Sequence, residues 1–431
     1  MKKIILIIVL LSSITCLKAQ DYDTINDNIR EYANELGFFQ KAHRDLSDPR
    51  FMFHDPDRGV DFGLGGTTQI GTFYEFFGNS NLGSNSSSSE FNPANITVPT
   101  DKTPNFGSFV GGCELHAKSR VTWQDHKMIA YLKMGADDNG GVSISQVYIS
   151  IDNFSFGKIP SFFIDLESGV NCRFTVSPQA DLAQTLFGYT YRTKNNWEFA
   201  AALEHANVDV DDYGITHLKT DYQPLPDFSG HIKYRWENGH IQLGCVLRNM
   251  TYWATDNQTV YYQDGDNKHT LGYGLALSGN FKCSPKLLVS YNLLGGCGLA
   301  KYMSYFAGLR LDLGVRDEMD GRYMLMAGVP LASFSLGVQC KWNNYITSSF
   351  LTGHAQCFEK DGLYNIDPTR CLDFFSFNTY WNLSDFMLCG IEYYYGTKTT
   401  YRPVESNNIQ GTQGPVFGQS HRVTAVIAYM F

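Results

Sequence analysis

Eleven histidines and ten cysteines are the side chains of this 431-residue chain best suited to metal or nucleophilic chemistry. Their spacing argues against both. The histidines stand apart, with no HExxH pair and no His–Cys ligand cluster. Cys16 lies in the amino-terminal segment, beyond the apolar run Ile4–Leu11. The other nine (113, 172, 245, 283, 297, 340, 357, 371 and 389) are odd in number and dispersed, without a CxxC pair, so neither a metal knuckle nor a disulfide framework follows. Cys357 and Cys371 flank one loop and could bridge, while Cys113, Cys245, Cys340 and Cys389 take apolar positions in strands. Gly63-Leu64-Gly65-Gly66 and Gly295-Gly296-Cys297-Gly298 lack the Lys-Ser/Thr step and the helix that a phosphate cradle needs. No GxSxG elbow is present. Asp209, Asp211 and Asp212 read as a solvated or cation-binding loop. The expectation is no catalytic residue, no metal and no cofactor.

The informative side chains are charged ones on segments whose alternate residues are apolar. His116, Lys118, Arg120, Lys133, His231, Lys233, Arg235 and Arg248 share such a polar face. If the apolar partners contact lipid, these eight must line water, because a charge on the lipid side costs about 2–4 kcal/mol at the midplane. Rows of Arg and Lys along a wet passage favour anions over cations. The alternative is that Glu114, Glu198, Glu204 and Glu392 neutralise them as solvated pairs, leaving little selectivity.

Period-two alternation is what positions these residues, and it recurs from Gly59 to the end. Val60, Phe62, Leu64, Thr68, Ile70 and Tyr74 share a face, as do Phe109, Cys113, Leu115, Ala117 and Val121. Similar faces run through Phe187–Tyr191, Trp197–Leu203, Phe228–Trp236, Leu271–Phe281, Met387–Tyr395 and Val423–Phe431. Short polar turns (Gln124–Lys127, Thr193–Asn196, Glu237–Gly239, Ser284–Lys286, Leu383–Asp385) take turns with long polar loops (Asn79–Asn105, Asn207–Asp227, Thr255–Lys268, Gly298–Arg322, Thr399–Gln419). That asymmetry belongs to a transmembrane antiparallel up-and-down β-barrel, here of about sixteen strands with both chain ends on one side. Trp123, Trp197, Trp236, Phe281, Trp342, Trp381 and Phe431 abut the short turns as one aromatic girdle. The all-β class is thus set by residues 59–431.

The amino end reads differently. Lys2 and Lys3, the apolar run Ile4–Leu11 and Ala19 form a secretory signal over residues 1–19. The formal charge of -9 becomes -12 once Lys2, Lys3 and Lys18 are removed, which argues against a nucleic-acid partner. Residues 20–58 are expected to be a periplasmic linker with a short helix, since Ile25, Ile29, Tyr32 and Leu36 form an a/d seam. That helix either rests on its own domain or serves as a small oligomerisation stem.

One stretch, residues 158–181, is less polar than a surface loop. Phe162, Phe163 and Ile164 need burial, and folding into the wide lumen of a sixteen-stranded barrel supplies it. Lys158, Ser161, Asp165 and Glu167 then mark a constriction, with the two acids opposing the basic wall across it.

Several segments together resemble the DcaP-like porin family of Gram-negative outer membranes. They are Gln146–Phe154 running into Gly157, Ser161 and Asp165; Gly239–Leu243 with Leu247-Arg248; Gly296…Gly298-Leu299-Ala300-Lys301-Tyr302; and Gly390–Tyr393 with Gly396-Thr397-Lys398. The resemblance spans about residues 59–431. It implies a homotrimeric diffusion channel in the bacterial outer membrane, among lipid and lipopolysaccharide. It also implies an inward third loop and a preference for small anionic solutes such as dicarboxylates. Arg248 and Lys301 match basic positions of the pattern, and Ser161 and Asp165 match the start of the constriction loop. The stem is short for the family's coiled coil, and several pattern arginines are neutral here. The alternative is a plugged, surface-exposed barrel that acts in adhesion or assembly through its Asn/Ser/Gly-rich loops.

Overall fold

The computed structural model describes residues 51–431 apart from 56–58, 79–90, 111–112, 125, 137–140, 171, 173–182, 210–217, 220–222, 255–266, 307, 310, 319–321, 360–363, 366, 385 and 404–413. The expected signal peptide and amphipathic helix lie outside the described residues.

Strands dominate. The first are β1 (Phe51–Asp55), β2 (Val60–Phe77), β3 (Asn105–Val110), β4 (Cys113–Trp123), β5 (His126–Ala136), β6 (Val142–Ile151) and β7 (Phe154–Pro160). Then come β8 (Ala183–Arg192), β9 (Trp197–Glu204), β10 (Leu218–Lys219), β11 (Asp227–Trp236), β12 (Gly239–Ala254), β13 (Asn267–Ser284) and β14 (Leu287–Cys297). The last are β15 (Leu313–Glu318), β16 (Arg322–Gly328), β17 (Pro330–Lys341), β18 (Ile346–Cys357), β19 (Thr369–Asn382), β20 (Met387–Thr400) and β21 (Val416–Met430). Each stave pairs antiparallel with the next, and β21 returns to β2, so the sheet closes into a sixteen-stranded barrel in which β3 and β4 form one stave. β15 and β16 form a separate outer hairpin.

Closure removes the free edges that an open sheet of sixteen staves would carry. The seam runs from Thr67↔Met430 to Phe77↔His421, and Gly66 and Phe431 exchange backbone hydrogen bonds of 2.9 Å each. Below Phe431 the edge of β2 would be bare. β1 covers it, pairing Phe51↔Leu64 through Asp55↔Val60, so residues expected in the linker carry on the sheet.

The outer face is apolar. Leu247, Leu275, Ile391 and Ile427 are each at least half exposed, while their sequence neighbours point inward and are buried. In β2 the alternation holds through the strand, with Phe62, Leu64, Thr68, Ile70 and Tyr74 outward as expected. Phe109 departs from expectation. It is 3% exposed and lies inward against Gly71, whereas Cys113, Leu115 and Ala117 face out. Gly71 pairs with Phe109 and Thr67 with Glu114, so five residues of β3–β4 oppose four of β2 and the parity flips.

Turns are tight at one end and long at the other. Gln124 (φ 47°), Asp152 (φ 50°) and Asn196 (φ 64°) take left-handed conformations in the tight ones. Trp123, Trp197, Trp236, Phe281, Trp342 and Trp381 are exposed beside these turns, which gives one aromatic level at that end. Among the described residues every cysteine is a free thiol, including Cys357 and Cys371.

Candidate functional site

Two segments fold into the barrel. The first follows β7, in which Gly157 takes φ +129° at a place where a Cβ would stand 2.3 Å from the Val147 carbonyl. Residues 161–170 then run along the inner wall with Ser161, Phe163, Ile164 and Asp165 each at 5% exposure or less. Wall glycines admit them. A Cβ at Gly188 would lie 2.6 Å from the Phe162 ring, at Gly244 2.5 Å from the Phe163 carbonyl, and at Gly337 2.7 Å from Val170. Farther on, Cys172 accepts hydrogen bonds from Ser376 Oγ (3.5 Å) and Asn378 Nδ2 (3.3 Å) on β19. Burying Phe163 or Ile164 contributes about 1.5–3 kcal/mol each, enough to hold the segment against a wall it fits.

The acids of this segment sit on the basic wall and do not oppose it across a gap. Asp165 accepts from Lys233 Nζ (3.1 Å), Ser278 Oγ (2.9 Å) and the Glu167 amide (3.2 Å), and its carboxylate also meets His240 Nε2 at 2.8 Å. Glu167 accepts from Lys233 Nζ (3.1 Å) and from both terminal nitrogens of Arg235, one at 2.6 Å. Next to them Glu198 takes Arg192 Nε at 2.6 Å and His231 Nε2 at 3.0 Å. Burial pushes both inserted carboxyls up, but the neighbouring cations outweigh it. His240 and Lys233 hold Asp165, and Arg235 and Lys233 hold Glu167, well below the usual carboxylate range. Among lysines and arginines, Lys233, Arg235 and Arg192 match Asp165, Glu167 and Glu198 one for one.

The second segment, residues 298–312, was expected as part of a long outer loop. It turns inward instead, starting at Gly298 with φ +67° and a short 3-10 turn at Ala300–Tyr302. Leu299, Tyr302, Met303 and Phe306 are fully buried and join Phe163, Val246, Leu294, Leu331 and Phe374 in an apolar cluster inside the barrel. Its apolar content explains the difference, since Tyr302, Met303, Tyr305, Phe306 and Leu311 could not remain in water. Burial raises the Tyr302 hydroxyl well above its ordinary range, helped by Glu204 and Asp227. Burial also lowers the Lys301 amine, with Arg248 acting the same way and Asp227 against it.

Arg248 belongs to this second seat. Its side chain is fully buried, with Nε 3.1 Å from Asp227 and Nη1 2.9 Å from Asp312, and it also donates to the carbonyls of Gly298 and Asn207. It therefore holds protein groups where open water was expected. Lys301 Nζ reaches Asp227 at 2.6 Å. Arg248 and Lys301 face Asp227, Asp312 and Glu204, a surplus of one negative charge.

The other expected residues fall in two places. His116, Lys118, Arg120 and Lys133 occupy the inward face of β4 and β5, where Lys133 pairs with Glu114 (3.2 Å), Arg120 lies 3.7 Å from Asp61 and His116 stacks on Tyr131. Lys158 lies in β7 rather than in the inserted segment. It shares the outward face of Phe154 and Phe156 and donates to the Ile144 carbonyl at 2.7 Å. Ser161 and Asp165 do begin the inserted run. Asp227 and Asp312 were not singled out, Glu204 was named only as a neutralising partner of the basic face, and Tyr302 only within a segment of the family resemblance. The sequence signal was the aromatic density of residues 302–306.

Neither a protein-family model nor a curated protein sequence matches the chain. Solved structures do. The outer membrane channel DcaP of Acinetobacter baumannii is similar at 16% identity and TM-score 0.67 over 88% of this chain and 99% of that one. OmpF of Salmonella typhi is similar at 9% identity and TM-score 0.53, covering 88% and 100%. OmpT of Vibrio cholerae in its trimer form is similar at 10% identity and TM-score 0.51, covering 86% and 100%. A closed sixteen-stranded barrel with an inserted segment, matched along its length by such proteins, has the fold of the outer-membrane porins.

Proposed function

We propose that this protein is a porin of the bacterial outer membrane, giving passive diffusion to small hydrophilic solutes. The observation that carries the proposal is the division of the barrel wall, with Leu271 63% and Leu275 60% exposed outside while Lys118, Lys133, Lys233, Arg248, Glu198 and Glu204 are buried on the inner face. Only a lipid surround makes that division favourable. Bore is set by the two inserted segments and charge preference by the inner wall. The balanced seat of Asp165, Glu167 and Glu198 and the one-charge negative surplus beside Arg248 and Lys301 favour weak selectivity, so an anionic, dicarboxylate-like preference would rest on the basic residues of β4 and β5. A homotrimer is the proposed assembly, in line with the trimer form of the Vibrio cholerae structure. Lipid and lipopolysaccharide are the proposed surroundings.

The second inward segment favours one other reading, a plugged barrel whose outer loops act in adhesion or assembly. Liposome swelling with graded sugars separates the two. A porin admits small sugars at rates falling with size, and a plugged barrel admits none.

A further inference from the structure

Resting on the porin reading, we propose that Glu204 is the positioning residue that fixes the bore, because its one carboxylate holds both inserted segments at once. Glu204 ends β9 at 1% exposure and takes no part in the seat of Asp165 and Glu167. Its Oε1 accepts from Ser161 Oγ (2.7 Å) and the Phe162 amide (3.1 Å), the first two residues of the first segment, and from Ser229 Oγ on β11. Its Oε2 accepts from Tyr302 OH of the second segment (3.1 Å) and Gln184 Nε2 on β8 (2.7 Å).

The other anchors each hold one segment. Asp165 and Glu167 bind the first to β11–β13, and Asp227 and Asp312 bind the second through Lys301, Tyr302 and Arg248. Phe163 packs edge-on against Tyr302 at 5.3 Å between ring centres, so a shift of either segment disturbs the other. A carboxylate has acceptor sites alone, which suits five converging donors. Glutamine at this position places an amide NH2 among them, and alanine takes the acceptor from Ser161 Oγ, the Phe162 amide and Ser229 Oγ, while Tyr302 OH keeps Asp227 at 3.3 Å and Gln184 Nε2 keeps the Tyr302 hydroxyl at 3.4 Å.

The test is single-channel recording of wild type, Glu204→Gln and Glu204→Ala in planar bilayers, with liposome swelling to find the largest sugar admitted. Both variants are expected to raise unit conductance, by about two-fold for alanine given the wide lumen of a sixteen-stranded barrel, and to admit larger sugars. Tyr302→Phe and Ser161→Ala, each removing one donor from one segment, give smaller rises in the same direction. Loss of fold stability alone would reduce the number of inserted channels and leave unit conductance unchanged, so conductance separates positioning from bulk stability. Glu204→Gln keeps the test open if alanine fails to fold. A conducting wild type whose unit conductance both variants match overturns this proposal alone. A wild type that inserts without conducting overturns the porin reading and this proposal with it.

Discussion

Replacing Asp165 by Asn together with Glu167 by Gln removes two negative charges from a seat that is balanced in the folded protein. Lys233, Arg235 and Arg192 then face Glu198 alone, an excess of two positive charges. Arg235 and Arg192 keep 24% and 27% of their side chains exposed, so this charge reaches lumenal water. Two unit charges about 8 Å from a passing monovalent anion are worth about 1 kcal/mol in a water-like dielectric, which is about five-fold in anion occupancy and, with a cation disfavoured equally, about thirty-fold in anion-to-cation preference before screening. The seat also weakens, since unpairing buried charges costs about 3–5 kcal/mol. Phe163 and Ile164 offset this with about 3–6 kcal/mol of apolar burial together, so the segment stays on the wall. The assay is the reversal potential in a salt gradient at about 0.1 M or below, where screening extends over about 10 Å. The expected result is a shift toward anions with little change in conductance. An unchanged reversal potential would refute the placement of this seat beside the permeation path.

Three further outcomes follow from the same geometry. Gly244→Val puts side-chain carbon on the Phe163 carbonyl, 2.5 Å from where Cβ would stand. Overpacking of this kind costs about 1–3 kcal/mol and unseats the first segment, seen as raised unit conductance. Asp165 and Glu167 are held below their ordinary range, so their contribution is complete above the unfolded values of about 3.9 and 4.3 and fades as pH falls beneath them. In the folded channel both carboxyls therefore stay ionised well below the ordinary carboxylate range, so the reversal potential of the Asp165→Asn, Glu167→Gln double variant should differ from wild type at about pH 4 as it does at about pH 7, and a difference that vanishes by about pH 4 would contradict the assignment. Leu275→Arg, midway along β13 on the outer face, should destabilise the barrel in lipid vesicles by about 2–4 kcal/mol, read from urea unfolding.

The barrel was legible because its strands repeat one rule many times. Alternation in β2, β8, β9 and β11 held residue for residue, and the short turns set its direction. Phe109 was misplaced because one extra residue between β3 and β4 inverts parity, and nothing in the apolar pattern marks an insertion of one residue. The first inserted segment was visible in Phe162-Phe163-Ile164. The second was concealed by its length, although Tyr302, Met303, Tyr305 and Phe306 carry the same signal. Charge could be assigned to the inner face but not to its partners, because pairing depends on where each inserted segment lands. Asp165 meets Lys233 across 68 residues, and Arg248 meets Asp312 across 64. The glycines at 188, 244 and 337 record that landing, yet each reads as an ordinary strand glycine until the partner is seen.

The central claim is that a lipid-embedded barrel encloses a water-filled passage between its inserted segments and its wall. Reconstitution of the purified protein into a planar bilayer tests it most directly. The account predicts discrete, stable conductance steps in simple salt, with weak charge preference. Inserted protein that gives no steps under any applied voltage would contradict it.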